Sequence, residues 1–148
     1  MLDQLKAFLA EIGEIEGKYL ASCFFQNGSW KIDFYSKEAH KIYTYEKING
    51  QVRVKEDKIF QKEKKELERL DLENVKFGYD KALEKIELKE KAIVILQVVN
   101  GTTIWNITIL TPEFKVINIK VNATTGEVIK ESEENILNFK KDGLGLKL

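Results

Sequence analysis

Ala92-Ile93-Val94-Ile95-Leu96-Gln97-Val98-Val99-Asn100-Gly101-Thr102-Thr103-Ile104-Trp105-Asn106-Ile107-Thr108-Ile109 is the stretch on which the fold of this 148-residue chain turns. Its first part, with Lys91 before it, is almost wholly apolar and β-branched, the composition of a strand in the middle of a sheet. Asn100-Gly101 is the pair that a two-residue hairpin turn demands, because both central residues need positive φ. The returning segment Thr103–Thr111 alternates polar and apolar residues, so it reads as an antiparallel partner with one face towards a core.

The same grammar holds on both sides. Pro112-Glu113 makes a bend, Phe114–Val121 a strand, Asn122–Gly126 a loop and Glu127–Ser132 a closing strand. Before the central strand, Val75, Tyr79, Ala82, Leu83 and Ile86 recur at helical spacing. Nearer the N-terminus, Leu2, Leu5, Phe8, Leu9, Ile12 and Ile15 form a first amphipathic helix, with Gly13 and Gly17 at its end. Tyr19–Gln26 then turns at Asn27-Gly28 into Trp30-Lys31-Ile32-Asp33-Phe34, and Ile42–Ile48 turns at Asn49-Gly50 into Gln51–Val54. Residues 55–71 hold 12 charged side chains of mixed sign in 17 positions, a solvated connector anchored by Leu67, Leu70 and Leu72.

Helix plus four strands is thus expected twice. Trp30-Lys31-Ile32 lies over Trp105-Asn106-Ile107 at a spacing of 75, as does Lys41-Ile42-Tyr43 over Val116-Ile117-Asn118, and Gly50-Gln51-Val52 matches Gly126-Glu127-Val128 at 76. The expected class is α+β, with two tandem helix-plus-antiparallel-meander units: 1–60, a charged connector 61–72, a second unit 73–132 and a C-terminal tail 133–148. A β-sandwich with an added helix is the alternative.

Composition excludes several functions. The chain has 24 basic and 24 acidic side chains, 13 of each in residues 1–72 and 11 of each in 73–148. No positive surplus exists to face phosphate, so nucleic acid is not an expected partner. The longest apolar run is too short to cross a bilayer. Neither a continuous apolar leader nor a cleavage site follows the N-terminus, so a cytoplasmic chain is expected. Cys23 has no disulfide partner in the chain and reads as a small buried hydrophobe. Lysine outnumbers arginine 22 to 2 beside 18 Glu and 16 Ile, a thermophile-like composition.

The ending Val116-Ile117-Asn118-Ile119-Lys120-Val121-Asn122-Ala123-Thr124-Thr125-Gly126-Glu127-Val128-Ile129 resembles the close of a PepSY domain. In that family a strand enters a D-x-x-T-G-E-V-like turn and a final strand leaves it. Asn122 stands where an acidic residue is more usual. The resemblance covers residues 73–132 and, more weakly, 2–60. It implies a cystatin-like helix on a four-stranded antiparallel sheet, and a regulatory role without catalysis, often towards peptidases.

Catalytic chemistry finds little to work with. Any Ser/His/Asp or Cys/His arrangement must use His40, the single histidine, which falls in the polar bend 36–41 and reads as exposed. One Cys and one His cannot make a four-ligand zinc site. No glycine-rich phosphate loop is present, and no metal, cofactor or catalytic residue is expected. A protein-binding patch is the better prospect. With Trp30, Ile32 and Phe34 inward and β-strand register taken from the spacing of 75, Tyr35, Tyr43 and Tyr45 share the outer face with Lys31 and Lys47. The opposite orientation puts Tyr43 and Tyr45 inward, with Thr44 and Glu46 outward. The expectation is therefore a non-catalytic binding or regulatory module for a protein partner, a peptidase or a second copy in a homodimer. A small-ligand carrier or enzyme using the concave sheet face is the alternative. The apolar alternation of Leu144, Leu146 and Leu148 adds an expectation that the tail docks.

Overall fold

The structure, a computed structural model, describes residues 2–58, 66–80 and 92–136. Helix α1 (Leu2–Ile12) places Leu5 and Phe8 on its buried side. It stops where Gly13 takes φ +76, with its N–H bonded to the Leu9 carbonyl. Eight strands follow: β1 (Tyr19–Gln26), β2 (Ser29–Ser36), β3 (Lys41–Ile48), β4 (Gln51–Lys58), β5 (Ala92–Val99), β6 (Thr102–Leu110), β7 (Lys115–Asn122) and β8 (Val128–Asn135). The Asn-Gly pairs at 27–28, 49–50 and 100–101 all have positive φ at both residues, and they close three of the hairpins.

The eight strands make one antiparallel sheet in the order β4-β3-β2-β1-β5-β6-β7-β8. This corrects the expected fold class. Two separate helix-plus-meander units do not form, and neither does a sandwich. Instead, Ser22–Phe25 of β1 pair with Gln97–Val94 of β5, which joins both meanders into a single sheet. Among the described residues α1 is the one α-helix of more than a single residue, with Asp80 and Ile136 also helical. The duplication inferred from spacing is therefore not borne out. Its local cause is plain: Asn-Gly turns and period-two alternation recur wherever hairpins do, so their repetition does not define separate units. Of the expected second helix, Val75 and Tyr79 are buried in non-helical chain, while Ala82, Leu83 and Ile86 lie outside the described residues.

Other boundaries shift as well. β4 continues to Lys58, through the first charges of the expected connector, because mixed-sign side chains suit an edge strand that faces water. β8 extends to Asn135, past the expected end at Ser132 and into the expected tail. The tail beyond Ile136 lies outside the described residues.

Opposed residues of an antiparallel pair share a face. One cross-strand row therefore runs Val54, Tyr45, Ile32, Cys23, Leu96, Trp105, Val121 and Val128 across all eight strands. Its middle is fully enclosed, with Ile32, Cys23, Leu96 and Trp105 at 0% exposure. Helix α1 and the segment 66–80 lie on this side. That segment is tied down by the Leu70 N–H to the Leu20 carbonyl, the Trp105 indole to the Phe77 carbonyl, and the Lys76 and Phe77 N–H groups to the Ala123 carbonyl. The other face mixes apolar residues such as Phe24, Ile93 and Ile95 with polar ones that bond across strands. Ser22 and Thr44 both donate to the Asp33 carboxylate, and the Asn118 amide donates to Asn106, Thr108 and the Ile107 carbonyl.

The Asn122–Gly126 loop is built on Asn122, whose side-chain oxygen accepts from the N–H groups of Thr124 and Thr125. Gly126 sits at φ +81 with the Phe77 ring against it, 3.1 Å from where a Cβ would stand. Gly126→Ala is expected to lower stability by about 1–3 kcal/mol in urea unfolding, from the left-handed backbone and the ring contact together. Gly101→Ala, with open space around it, should cost only the backbone part.

Candidate binding surface

The five expected patch residues do not share a face. Tyr35 pairs with Ile42 and Tyr19, on the side opposite the core row, and is 0% exposed. The Tyr19 ring lies 5.5 Å from it and the His40 ring 5.8 Å. Lys31 is on that same side, paired with Glu46 at 3.6 Å. Tyr43 and Tyr45 pair with Phe34 and Ile32, so they lie on the core side, and Lys47 is there too. The alternative orientation, tyrosines in and Thr44 and Glu46 out, is the one that forms.

The error is a register slip of one residue, which exchanges the two faces of a strand. The spacing of 75 carried Ile42 onto Ile117. Between equivalent positions, Tyr35↔Ile42 enclose six residues, 36–41, whereas Leu110↔Val116 enclose five, 111–115. The β2–β3 turn is thus one residue longer, and Tyr43, not Ile42, takes the place of Ile117, opposite Phe34 as Ile117 is opposite Ile109. His40 fills the left-handed position of the short turn at φ +52. It is half-buried rather than exposed, with its Nδ1 2.7 Å from the Tyr35 hydroxyl.

The surface that results is different but coherent. Beyond α1 the core row continues uncovered onto β3 and β4. Tyr45 packs edge-on against Phe34 at 5.3 Å and is half-buried, while Val52 and Val54 are 37% and 53% exposed. Charges frame this strip. Lys47 reaches Glu11 of α1 at 2.9 Å, and Lys41 reaches Glu56 at 2.5 Å, which holds the Glu56 carboxyl below its ordinary range. The Lys18 ammonium lies 4.2 Å from the Tyr43 ring centre. β4 ends the sheet order, so one side of its backbone is unpaired within the described sheet. Val52 and Val54 were legible as strand residues in the sequence; that they end a core row depends on pairings across the sheet.

The chemistry elsewhere is quiet. Cys23 is fully buried, and burial pushes its thiol far above the ordinary range. No group of three or more His, Cys, Asp or Glu among the described residues could hold a metal ion. No helix among them is long and apolar enough to cross a membrane.

No protein-family model matches the chain, and no curated protein matches it. Among solved structures, the chain is similar to a protein of Clostridium difficile 630 described as a "putative lipoprotein". The TM-score is 0.63 over 90% of this chain and 91% of that one, at 15% identity. A likeness at that identity establishes a shared fold.

Two measurements test this geometry. Cys23 should resist thiol reagents in the folded protein and react promptly in denaturant. Burial raises the phenol pKa values of Tyr35, Tyr45 and Tyr19, and takes Tyr79 to about 12, from 10.0. A group with a raised folded pKa favours the fold fully below its unfolded value and loses that contribution as pH rises through the folded one. Stability should therefore hold up to about pH 10 and fall above it. Tyrosinate absorbance should rise in step with unfolding.

Proposed function

We propose that this chain is a non-catalytic binding or regulatory module that engages a protein partner through the β3–β4 ribbon. The observation that carries the reading is the uncovered end of the core row. Val52 and Val54 belong to the edge strand β4, with Tyr45 on β3 beside it, and the β4 backbone can accept a further strand. A partner segment added there would gain main-chain hydrogen bonds from β4 and bury its alternate side chains on the valines. Aromatic and aliphatic anchors within a charged frame are the composition of an interface centre. The other edge, β8, also exposes Val128 and Ile129, but its outer half carries Glu131, Glu133 and Glu134 and no aromatic residue.

The PepSY resemblance supports a peptidase as the class of partner, and a second copy of the chain is the other candidate. The description of the structural neighbour as a lipoprotein speaks for an envelope setting, against the cytoplasmic one expected from sequence. Fractionation of the source cells separates the two.

Val52→Lys with Val54→Lys tests the reading with little cost to the fold, since exposed substitutions usually change stability by within about 0.5 kcal/mol. A partner retained from source-cell extract by the unmodified protein should be lost with this double variant and kept with Val128→Lys. Where the partner is a second copy, light scattering should show a dimer that the double variant reduces to monomer. Equal retention by both variants, with no change in oligomeric state, overturns the proposal.

A further inference from the structure

A cleft of about 780 Å³ opens between the C-terminal end of α1 and the segment Arg69–Leu72. That volume lies within the roughly 300–1,000 Å³ usual for small-molecule sites. Its apolar part is formed by Leu20 and Phe34 of the sheet, Leu9 and Ile15 beside α1, and Leu70 and Leu72 opposite, and polar groups make up as much of its lining. Both walls are anchored. The Leu70 N–H is bonded to the Leu20 carbonyl at 2.8 Å, and the loop after α1 closes through the Lys18 N–H and the Ile15 carbonyl at 3.3 Å.

Four charged residues border the cleft: Glu14, Lys18, Arg69 and Asp71. They are not equivalent. The Asp71 carboxylate already accepts the Glu73 N–H at 2.9 Å, capping the short 3₁₀ turn Leu72–Asn74. The two cations have no carboxylate within salt-bridge distance among the described residues. Each lies over an aromatic ring instead, Lys18 on Tyr43 and Arg69 on Tyr19 at 5.1 Å. The Tyr19 ring is itself held by its hydroxyl, which donates to the Leu67 carbonyl, and by Tyr35 at 5.5 Å. A guanidinium over a ring keeps its N–H donors, which lie in its own plane, for an anion.

We propose that this cleft binds an amphipathic carboxylate, its acyl chain along Leu9, Leu20 and Leu70 and its head group between Lys18 and Arg69. The site is separate from the valine strip, and its test leaves Val52 and Val54 unchanged, so either reading can fail without the other.

Titration calorimetry with decanoate, decanol and acetate tests it. Decanoate, below its micelle concentration, should bind one per chain, and acetate should not bind. Decanol should bind roughly tenfold or more weakly, because it lacks the charge that Arg69 and Lys18 recognise. Arg69→Gln should weaken decanoate to about the level of decanol. Ala10 lines the cleft and is exposed; Ala10→Trp should fill the space and abolish binding, with an unchanged melting temperature showing that the fold is kept. Decanol binding as tightly as decanoate overturns the proposal, as does decanoate binding that survives Ala10→Trp in the folded protein. Failure of decanoate to bind at millimolar concentration does the same.

Discussion

The pairing of β1 with β5 is the contact on which the rest of the molecule depends. Four residues on each side, Ser22–Phe25 and Gln97–Val94, join strands 69 to 75 positions apart. Each meander can form by local hairpin closure, and the β1–β5 ladder then merges their apolar faces into one core. Cys23 and Leu96 meet at this seam with no exposed surface. A small side chain there lets the row Ile32-Cys23-Leu96-Trp105 close under the elements on the core side. Joining strands so distant in sequence costs chain entropy, and the gain is a single buried row that spans the sheet.

The same continuity creates the surface proposed for binding. A row of eight apolar positions exceeds what the described covering elements reach, so it ends in partly exposed residues at both edges. At β3–β4 the end is aromatic, framed by lysines and beside an unpaired backbone; at β8 it is aliphatic and gives way to glutamates. The opposite face has no such tension. Asp33 and Asn118 each bond to neighbouring strands, which adds cross-strand polar contacts to a face where Tyr35 is also buried. The cleft beside α1 arises for a related reason, because the segment 66–80 is pinned to the end of β1 and leaves a gap before it meets the helix.

What the residues determined on their own was local. Period-two alternation and Asn-Gly pairs placed the strands and three hairpin turns, and the spacing of Leu2, Leu5, Phe8 and Leu9 placed α1. Composition identified Cys23 as a core residue. These signals are readable because turn chemistry and side-chain period act over a few residues. Tertiary structure decided the rest. Whether two meanders stay apart or fuse is set by the β1–β5 ladder, which no local pattern encodes. Whether Tyr43 faces the core or the solvent hangs on one residue in the β2–β3 turn, since a single step of register exchanges the faces. Tyr35 shows the limit most clearly: it does alternate away from Trp30, Ile32 and Phe34 as the period requires, yet it is buried, because Tyr19 of the adjacent strand and His40 of the following turn pack over it, and side-chain packing is not encoded in a period of two.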